Sequence, residues 1–545
     1  MLHSTIGAYN LTAGKRVADS IGETLARFGV KYVFGLPGDK VNTLADGVAR
    51  AGLRFIVVRD EGAGATAAGV MSMLTGGLGA CLGMGAPGAV RMLPGLYGAM
   101  LDGLPVVALT GQVESFHIGT DYTQEIDTTR LFSAFTVYNH LLVTGSNASL
   151  MISRACRAAL VHRGVAHVSV PTDIQSEVVE QVEAKYPGPP TMWRPEPRED
   201  SVEAAAKILN SADRILILAG RGAVGHGNEI KKLSRKLHAP VFTTRSTGAS
   251  VMPIDLDHNM GVLIASTIMG RAPLAVRVGQ RADAVLLIGT DYPYMSEAFR
   301  SDAKVIQIDT NPANIGKRIG VDVQILADAG ETIALLNRQV TQRRGLAFLN
   351  EVRQETQENF QMTEEMKNQP SKPITHYYLT KILEDSVGEN AIVVTDSGPF
   401  HFKESFRVKK HLLLMQGRYQ GMGFGMPAAI AAQLVYPKRE VVLAEGDASF
   451  LQCMEELMTA VQNNLPIKVV VFNNGTNAGP KFAGKIGGVG SDLIYDIGHF
   501  NFAKFAEACG VYGRRVDDPR ELRRAMDDVL SKKTAAVLDV ITAED

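Results

Sequence analysis

The chain is predicted to be an α/β protein of three doubly wound, parallel-sheet domains, on three observations. Short continuous runs of β-branched and aliphatic residues alternate with amphipathic helical stretches along its whole length. Strands that are apolar on both faces belong to parallel sheets with helices on both sides. Two Pro-containing polar stretches interrupt the alternation, and 545 residues suffice for about three domains.

The interruptions set the boundaries. Lys185-Tyr-Pro-Gly-Pro-Pro-Thr-Met-Trp-Arg-Pro-Glu-Pro197 reads as an extended linker. The polar run from Gln339 to Pro373 reads as a helix around Arg353 to Lys367, then a linker ending at Pro370 and Pro373. The expected domains are 1–183, 198–340 and 371–545. In the first, Tyr32-Val-Phe, Phe55-Ile-Val-Val, Val106-Val-Ala-Leu and Ala166-His-Val-Ser-Val read as strands. In the second they are Arg214 to Ala219, Ala284 to Ile288 and Lys304 to Asp309. In the third they are Ala391 to Thr395, Val441 to Leu443, Lys468 to Phe472 and Ala536 to Val540.

Composition narrows the class. Apolar residues make up 46%, charged residues 21%, and the net charge is −1, an ordinary soluble profile. Such a balance gives no support for nucleic-acid or anionic-membrane binding. The four cysteines are scattered without a C-x-x-C, which fits a reducing cytoplasm rather than a zinc site or disulfide framework. Met1 to Tyr9 lacks the pattern of a signal peptide. No run approaches the roughly 18 apolar residues of a membrane span. A cytoplasmic protein without membrane contact is expected.

The chemistry concentrates at 445–474, EGDASFLQCMEELMTAVQNNLPIKVVVFNN. Gly446-Asp447-Ala448-Ser449 follows one apolar strand, and Asn473-Asn474 follows the next. Asp447 and Asn474 are therefore expected at the carboxyl ends of successive strands, where open α/β sheets bind ligands. A carboxylate and a carboxamide oxygen are hard donors that suit Mg²⁺ shared with phosphate oxygens. Gly446 permits close backbone approach, and a helix starting near Ser449 offers free N–H groups to an anion. The expected ligand is a Mg²⁺-bridged diphosphate. The plainer alternative is a βαβ unit with a turn Asp and a capping Asn.

GD(G/A)S, a helix-length gap and NN resemble the thiamine diphosphate motif of 2-oxo-acid decarboxylases, acetohydroxyacid synthases and pyruvate oxidases. The resemblance implies Asp447, Asn474 and the backbone carbonyl of Thr476 as Mg²⁺ ligands, with Gly446, Ala448 and Ser449 around the diphosphate. Arg59-Asp60-Glu61, at a strand end before a helix of Gly and Ala, resembles the family's RHE-x-x-A-x-x-A pattern, with Asp60 where His is common. Glu61 is then the carboxylate that shares a proton with the pyrimidine N1′ and favours the 4′-imino tautomer that takes the C2 proton. Burial would raise its pKa for that task. Read alone, Glu61 could equally be a helix N-terminal carboxylate. The small-residue helix behind it calls for a close neighbour, and a subunit interface or a cofactor ring would supply one.

Further matches extend the likeness over nearly the whole chain. Met84-Gly-Ala-Pro-Gly-Ala resembles a G-P-G turn, and Thr120-Asp-Tyr-Thr-Gln124-Glu125 resembles the F-Q-E loop whose glutamine faces the reacting carbon. Gln420-Gly-Met422-Gly-Phe-Gly-Met-Pro-Ala resembles G-x-M-G-F-G-x-P-A, which makes Met422 the prop beneath the bent cofactor and the Gln420 carbonyl the acceptor from N4′. Asp396-Ser-Gly398-Pro-Phe-His401 looks like a second diphosphate turn, with His401 within reach of phosphate. The middle domain resembles the FAD-binding domain of pyruvate oxidases, which would place Gly220, Arg221, Thr244, Asp309 and Asp328 near the flavin nucleotide. The formal match Gly220-Arg-Gly222-Ala-Val-Gly225 is not a nicotinamide site, because position 245 is Arg where an acidic residue is needed. Gly261-Val-Leu-Ile-Ala265 lacks the second glycine usual beside the flavin.

The implied activity is decarboxylation of a pyruvate-like 2-oxo acid with thiamine diphosphate and Mg²⁺, followed by oxidation of the enamine by FAD. The alternative is a non-oxidative carboligase of the acetolactate-synthase kind. A non-catalytic scaffold is a third reading, opposed by the joint presence of Glu61, Asp447, Asn474 and Met422. The loop Gly475-Thr-Asn-Ala-Gly-Pro-Lys-Phe482-Ala-Gly-Lys-Ile-Gly-Gly carries no Trp, which argues against the biosynthetic synthase; its small residues argue against a standard pyruvate oxidase pocket. It is expected to be a glycine-rich mobile loop. The family builds each site from two subunits, so a homodimer at minimum, and a homotetramer, is expected.

Overall fold

The computed structural model describes residues 10–11, 14–180, 182–183, 188–189, 194–244, 257–263, 274–291, 298–396, 398, 400–407, 412–415 and 417–544. The expectations for residues 1–9, for most of the Pro-rich stretch with Trp193, and for Arg245 and Ala265 lie outside the described residues.

Three six-stranded parallel sheets carry the chain. The first comprises β1 (Tyr32–Gly35), β2 (Arg54–Val57), β3 (Gly79–Gly83), β4 (Val106–Gln112), β5 (Thr136–Leu141) and β6 (Val165–Pro171), in the order 2-1-3-4-6-5. The second comprises β7 (Ile215–Ala219), β8 (Val241–Thr244), β9 (Asn259–Leu263), β10 (Ala284–Ile288), β11 (Lys304–Asp309) and β12 (Val323–Leu326), in the order 9-8-7-10-11-12. Renumbered within the sheet, that is the 3-2-1-4-5-6 order of dinucleotide-binding folds. The third comprises β13 (Ile392–Thr395), β14 (Leu412–Met415), β15 (Val441–Gly446), β16 (Lys468–Asn473), β17 (Tyr512–Val516) and β18 (Ala536–Ile541), and repeats the order of the first sheet.

The inner strands explain the sheet type. β4, β7, β10 and β16 are buried at every position, as parallel strands covered on both faces must be. The strands that sequence reading overlooks are mostly at sheet edges: β5, β9, β12, β14 and β17. An edge strand such as β17, Tyr-Gly-Arg-Arg-Val, is half-exposed and carries no apolar run. The interior β3, Gly-Ala-Cys-Leu-Gly, is too small-residued to read as a strand.

In the first domain α1 (Glu61–Thr75), α2 (Gly85–Arg91) and α3 (Leu93–Leu101) follow β2 and β3. A long helix, α4 (Ala347–Lys367), leads into the third domain. There α5 (His376–Ser386), α6 (Gly425–Val435), α7 (Leu457–Gln462) and α8 (Ala478–Ile486) surround the sheet. The Gly/Ala face of α1 has a close neighbour within the chain. It is α6, itself built from Gly-Met-Pro-Ala-Ala-Ile-Ala-Ala. Ala65, Ala67, Ala68, Ala428, Ala429, Ala431 and Ala432 join one core that spans both domains. Side chains this short let the two helix backbones approach closely.

α4 is bolted to the third domain by charge. The Lys367 ammonium is fully buried and donates to both carboxylate oxygens of Glu384 on α5, at 2.7 and 2.8 Å. Glu384 also accepts from the Arg407 amide, and the Arg407 guanidinium pairs with Glu364 at 2.8 Å and covers the Phe360 ring. Burial pushes the Glu384 carboxyl above the usual range, against the pull of Lys367. Removing one partner of a buried pair strands the other charge. Glu384→Ala should therefore destabilise the third domain by about 3–5 kcal/mol, read as a lowered urea midpoint. An unchanged midpoint would mean that α4 is not held by this pair.

Candidate active site

Glu61 is the first residue of α1 and is only 4% exposed. Its position follows from a cap. Asp60 Oδ1 accepts from the amides of Gly62 and Ala63 at 2.7 and 3.2 Å, which starts α1 one residue later and turns Glu61 inward. The Asp60 carboxylate also pairs with Arg91 at 2.5 Å. Asp60, the residue that departs from the family pattern, therefore serves as the helix cap. Burial raises the pKa of Glu61, and the nearby Asp60 charge adds to this; the residue's own amide and Arg91 oppose it. A Cβ built on Gly88 would lie 2.7 Å from Glu61 Oε1 and 3.0 Å from the backbone of Gly83, so a side chain there would push the Glu61 carboxyl aside and crowd the strand end.

Gln124 lies on the same side of α2. Its carbonyl accepts from the Ala86 amide at 3.0 Å, and a Cβ on Gly85 would meet that carbonyl at 3.1 Å. Glu125 closes the loop, accepting from the amides of Gly119 and Tyr122. The α2 turn thus lies against both Glu61 and Gln124. It also meets a residue that the sequence reading passed over, Lys40, whose aliphatic stem packs 3.7 Å from the Gly85 position.

The second group sits at the carboxyl ends of β13, β15 and β16. Asp447 follows β15 and is almost fully buried. Its Oδ1 accepts from the Ala448 amide at 2.8 Å and its Oδ2 from the Gly475 amide at 2.7 Å. Burial pushes its carboxyl pKa up to about 6, against those amides and the charge of His499. Asn474 Oδ1 accepts from the Thr476 amide at 3.1 Å, and the Thr476 hydroxyl is tied to the Tyr495 carbonyl at 3.0 Å. Gly398 faces Gly446, each built Cβ lying 3.8 Å from the other residue's Cα, so neither residue puts a side chain between the ends of β13 and β15. Ser449 is buried. His401 stacks on Tyr377, with Nδ1 3.0 Å from the Tyr377 hydroxyl. Ser397 and Pro399 of this turn lie outside the described residues.

These donors fit the expected ion. Among the described residues no cluster of three or more His, Cys, Asp or Glu could hold a metal. The set here is of another kind: one carboxylate, one carboxamide and one backbone carbonyl, the oxygens Mg²⁺ takes alongside phosphate. Among the described residues no ion pair reaches Asp447, and a divalent cation would reverse the cost of its burial.

The turn before α6 shows what sequence reading missed. Asp396 Oδ2 accepts from three successive amides, Gly423, Phe424 and Gly425, at 2.8, 2.7 and 3.1 Å. This carboxylate at the end of β13 fixes the Gln420–Gly425 turn. Within it Gln420 takes a positive φ of 55° and Met422 Sδ lies 3.9 Å from Gln452 Nε2. Six described non-glycine residues have positive φ, and Gln124 and Gln420 are two of them. Such a conformation costs about 1–3 kcal/mol and concentrates at functional sites.

Among the described residues, no hydrogen bond or ion pair links the side chains of Glu61 or Gln124 to Asp447, Asn474, Gln420 or Met422.

The residues expected near a flavin also lie at strand ends. Gly220 follows β7, Thr244 ends β8, Asp309 ends β11 and Asp328 lies beyond β12. Gly220 and Gly222 pack against Gly289 so tightly that a Cβ on either would fall within 2.7 Å of it. Asp309 is engaged by the Asn311 amide at 2.8 Å and the Asn314 side chain at 3.2 Å. Asp328 caps the next helix through the Gly330 amide at 2.9 Å. Arg221 reaches out of its own domain to the carbonyl and carboxylate of Asp102.

If the 423–425 turn carries the cofactor's pyrimidine, Asp396→Ala should weaken thiamine diphosphate binding by about 10–100-fold, since it removes three charge-assisted hydrogen bonds. Calorimetric titration in the presence of Mg²⁺ reads this directly, and unchanged affinity would detach the turn from the cofactor.

Residues 15–131 match the N-terminal TPP binding domain of the thiamine pyrophosphate enzymes, residues 202–336 their central domain, and residues 399–540 their C-terminal TPP binding domain. The chain is 31% identical over 542 residues to a Bacillus subtilis (strain 168) protein provisionally named thiamine pyrophosphate-containing protein YdaP, covering 97% of this chain and 92% of that one. It is 31% identical over 474 residues to pyruvate oxidase of Lactiplantibacillus plantarum, covering 85% and 77%. It is 28% identical over 548 residues to the acetolactate synthase isozyme 1 large subunit of Escherichia coli (strain K12), covering 97% and 94%. With all three domains matched and the Glu61 and Asp447–Asn474 groups at the ends of their sheets, the chain belongs to the family of thiamine diphosphate-dependent enzymes.

Proposed function

We propose that the protein decarboxylates a pyruvate-like 2-oxo acid and passes the electrons to a bound FAD, as a 2-oxo-acid oxidase. The observation that carries the oxidase reading is the middle sheet. It keeps the 3-2-1-4-5-6 order, and Gly220, Thr244, Asp309 and Asp328 all lie at or just beyond the carboxyl ends of its strands, where such sheets bind dinucleotides. The names of the relatives leave two chemistries open, since pyruvate oxidase and acetolactate synthase both stand among them.

Thiamine diphosphate, when bound, supplies the electron sink that lets a 2-oxo acid lose CO₂. The chain supplies the rest. Asp447, Asn474 and the Thr476 carbonyl would hold Mg²⁺, and the turns bearing Gly398 and Gly446 would take the diphosphate. The buried Glu61 carboxyl holds a proton more readily than a solvated one and would share it with the pyrimidine ring. The Gln124 carboxamide, which makes no hydrogen bond of its own among the described residues, is available to orient the substrate. The family resemblance implies that each complete site draws on two subunits, so Glu61 and Asp447 of one site would come from different chains of a homodimer or homotetramer.

The carboligase is the second reading, favoured by the segment after Thr476. The stretch expected to be a glycine-rich loop is helical over Ala478–Ile486, with Pro480 tolerated in the first turn. α8 buries none of its residues, and Phe482, Ile486, Leu493 and Ile494 are 61–83% exposed. That apolar surface beside the metal group would suit a second organic substrate.

An anaerobic absorption spectrum with thiamine diphosphate and Mg²⁺ separates the two. An oxidase should show a flavin band near about 450 nm that bleaches on adding pyruvate. A band that persists, or no band, while pyruvate is consumed would overturn the oxidase in favour of the carboligase.

A further inference from the structure

Glu456 lies at the end of the segment that begins with Asp447, and its side chain is fully buried. It does not serve its own domain's cofactor group. It crosses to the first domain, where Oε1 accepts from the amides of Arg59 and Asp60 at 2.8 and 2.9 Å. Oε2 accepts from the Thr459 hydroxyl at 2.6 Å, and the same hydroxyl lies 3.3 Å from the Val57 carbonyl. Neighbouring contacts follow the same direction: Arg59 Nη2 donates to Gln462 Oε1 at 3.0 Å, and Arg54 Nη2 to Asn463 Oδ1 at 3.1 Å. The residues from Glu456 through α7 to Asn463 thus grip the corner between β2 and α1.

The two amides held by Glu456 need it. The Val58 amide still bonds within the first sheet, to the Gly35 carbonyl at 3.1 Å, but Arg59 and Asp60 lie beyond the last paired strand residue. Without Glu456 their N–H groups would have no protein acceptor, and the corner could turn either way. Asp60 is also the cap that aims Glu61, so whatever holds the Asp60 backbone sets where the Glu61 carboxyl lies.

We propose that Glu456 is a positioning residue for Glu61: a carboxylate of the third domain that fixes the strand-to-helix corner from which the first domain presents its proton-sharing group. It links the Asp447 group and the Glu61 group of one chain through the short segment 447–456. The inference rests on the proposed role of Glu61.

The test uses full-length protein loaded with thiamine diphosphate and Mg²⁺ and no substrate. It follows deuterium exchange at the cofactor's C2 by NMR after acid quench. Glu456→Ala should slow C2 exchange per bound cofactor by on the order of tenfold to a hundredfold, as expected for displacement of a group by about 1 Å. Cofactor affinity should stay within about threefold, because Glu456 touches no residue proposed to hold the diphosphate. Glu456→Gln, which keeps an acceptor of the same reach, should restore most of the rate. In the cofactor-free protein, amide exchange of residues 58–66 should rise in Glu456→Ala and not in Glu456→Gln. If Glu456→Ala does not fold, Glu456→Asp, one methylene shorter, takes its place with the same expectation. Wild-type C2 exchange in a folded Ala or Asp variant would overturn the proposal and leave Glu456 a domain clamp only. Glu61→Gln is the control: wild-type exchange in that variant would overturn the role of Glu61 itself, and the proposal with it.

Discussion

The rest of the site depends on the contact between two helices of alanine and glycine, α1 and α6. Neither could bury its surface alone, because side chains this small fill little volume. Facing each other, they bring two backbones close enough for the first and third sheets to share one core. Interiors at that density transmit displacement rather than absorb it. The start of α1 carries Glu61, and the start of α6 follows the turn held by Asp396. The same packing that joins the domains therefore sets the directions of both candidate groups.

A charged junction completes the arrangement where the middle domain meets the other two. Asp102, just past α3, accepts from the Arg418 amide at 3.0 Å and from the Arg221 side chain. The Arg418 guanidinium pairs in turn with Asp291, which also holds Arg318 at 2.8 Å. Burial lowers the pKa of Arg418, while Asp102 counters the effect and Arg221 adds to it. Partly buried charges of this kind persist only when paired, and the pairs come from all three domains. The middle domain is thus tied to the turn that bears Gln420 and Met422, and a change at its strand ends can be felt there.

Much of this was legible in the sequence because the chemistry is local. Gly446-Asp447 and Asn473-Asn474 each sit directly after an apolar strand, so strand, turn and donor are read together. Glu61 is legible for the same reason, while the approach of Gly88 to its carboxyl is not. What sequence reading missed is long-range. Asp396 stands far from Gly423 to Gly425 in the chain, and nothing local announces that its carboxylate closes their turn. Glu456 reads as one of two acidic residues at a helix start. Its partners are two amides of another domain, and backbone amides leave no mark in a sequence. The helix α8 was hidden by its glycines, which weaken helical propensity without forbidding it. The neighbour of α1 was anticipated as a type of contact but not as α6, because small residues signal close approach without saying what approaches.

The central claim is that one chain carries two half-sites which complete each other only between chains. Subunit mixing tests it directly. Glu61→Gln and Asp447→Ala chains, each inactive alone, would be unfolded together, refolded and assayed for decarboxylation. The account predicts recovery to about a quarter of the wild-type rate, because half of randomly paired dimers hold one site with both residues intact. Activity no higher than that of the separate variants would contradict it and place Glu61 and Asp447 in a single-chain site.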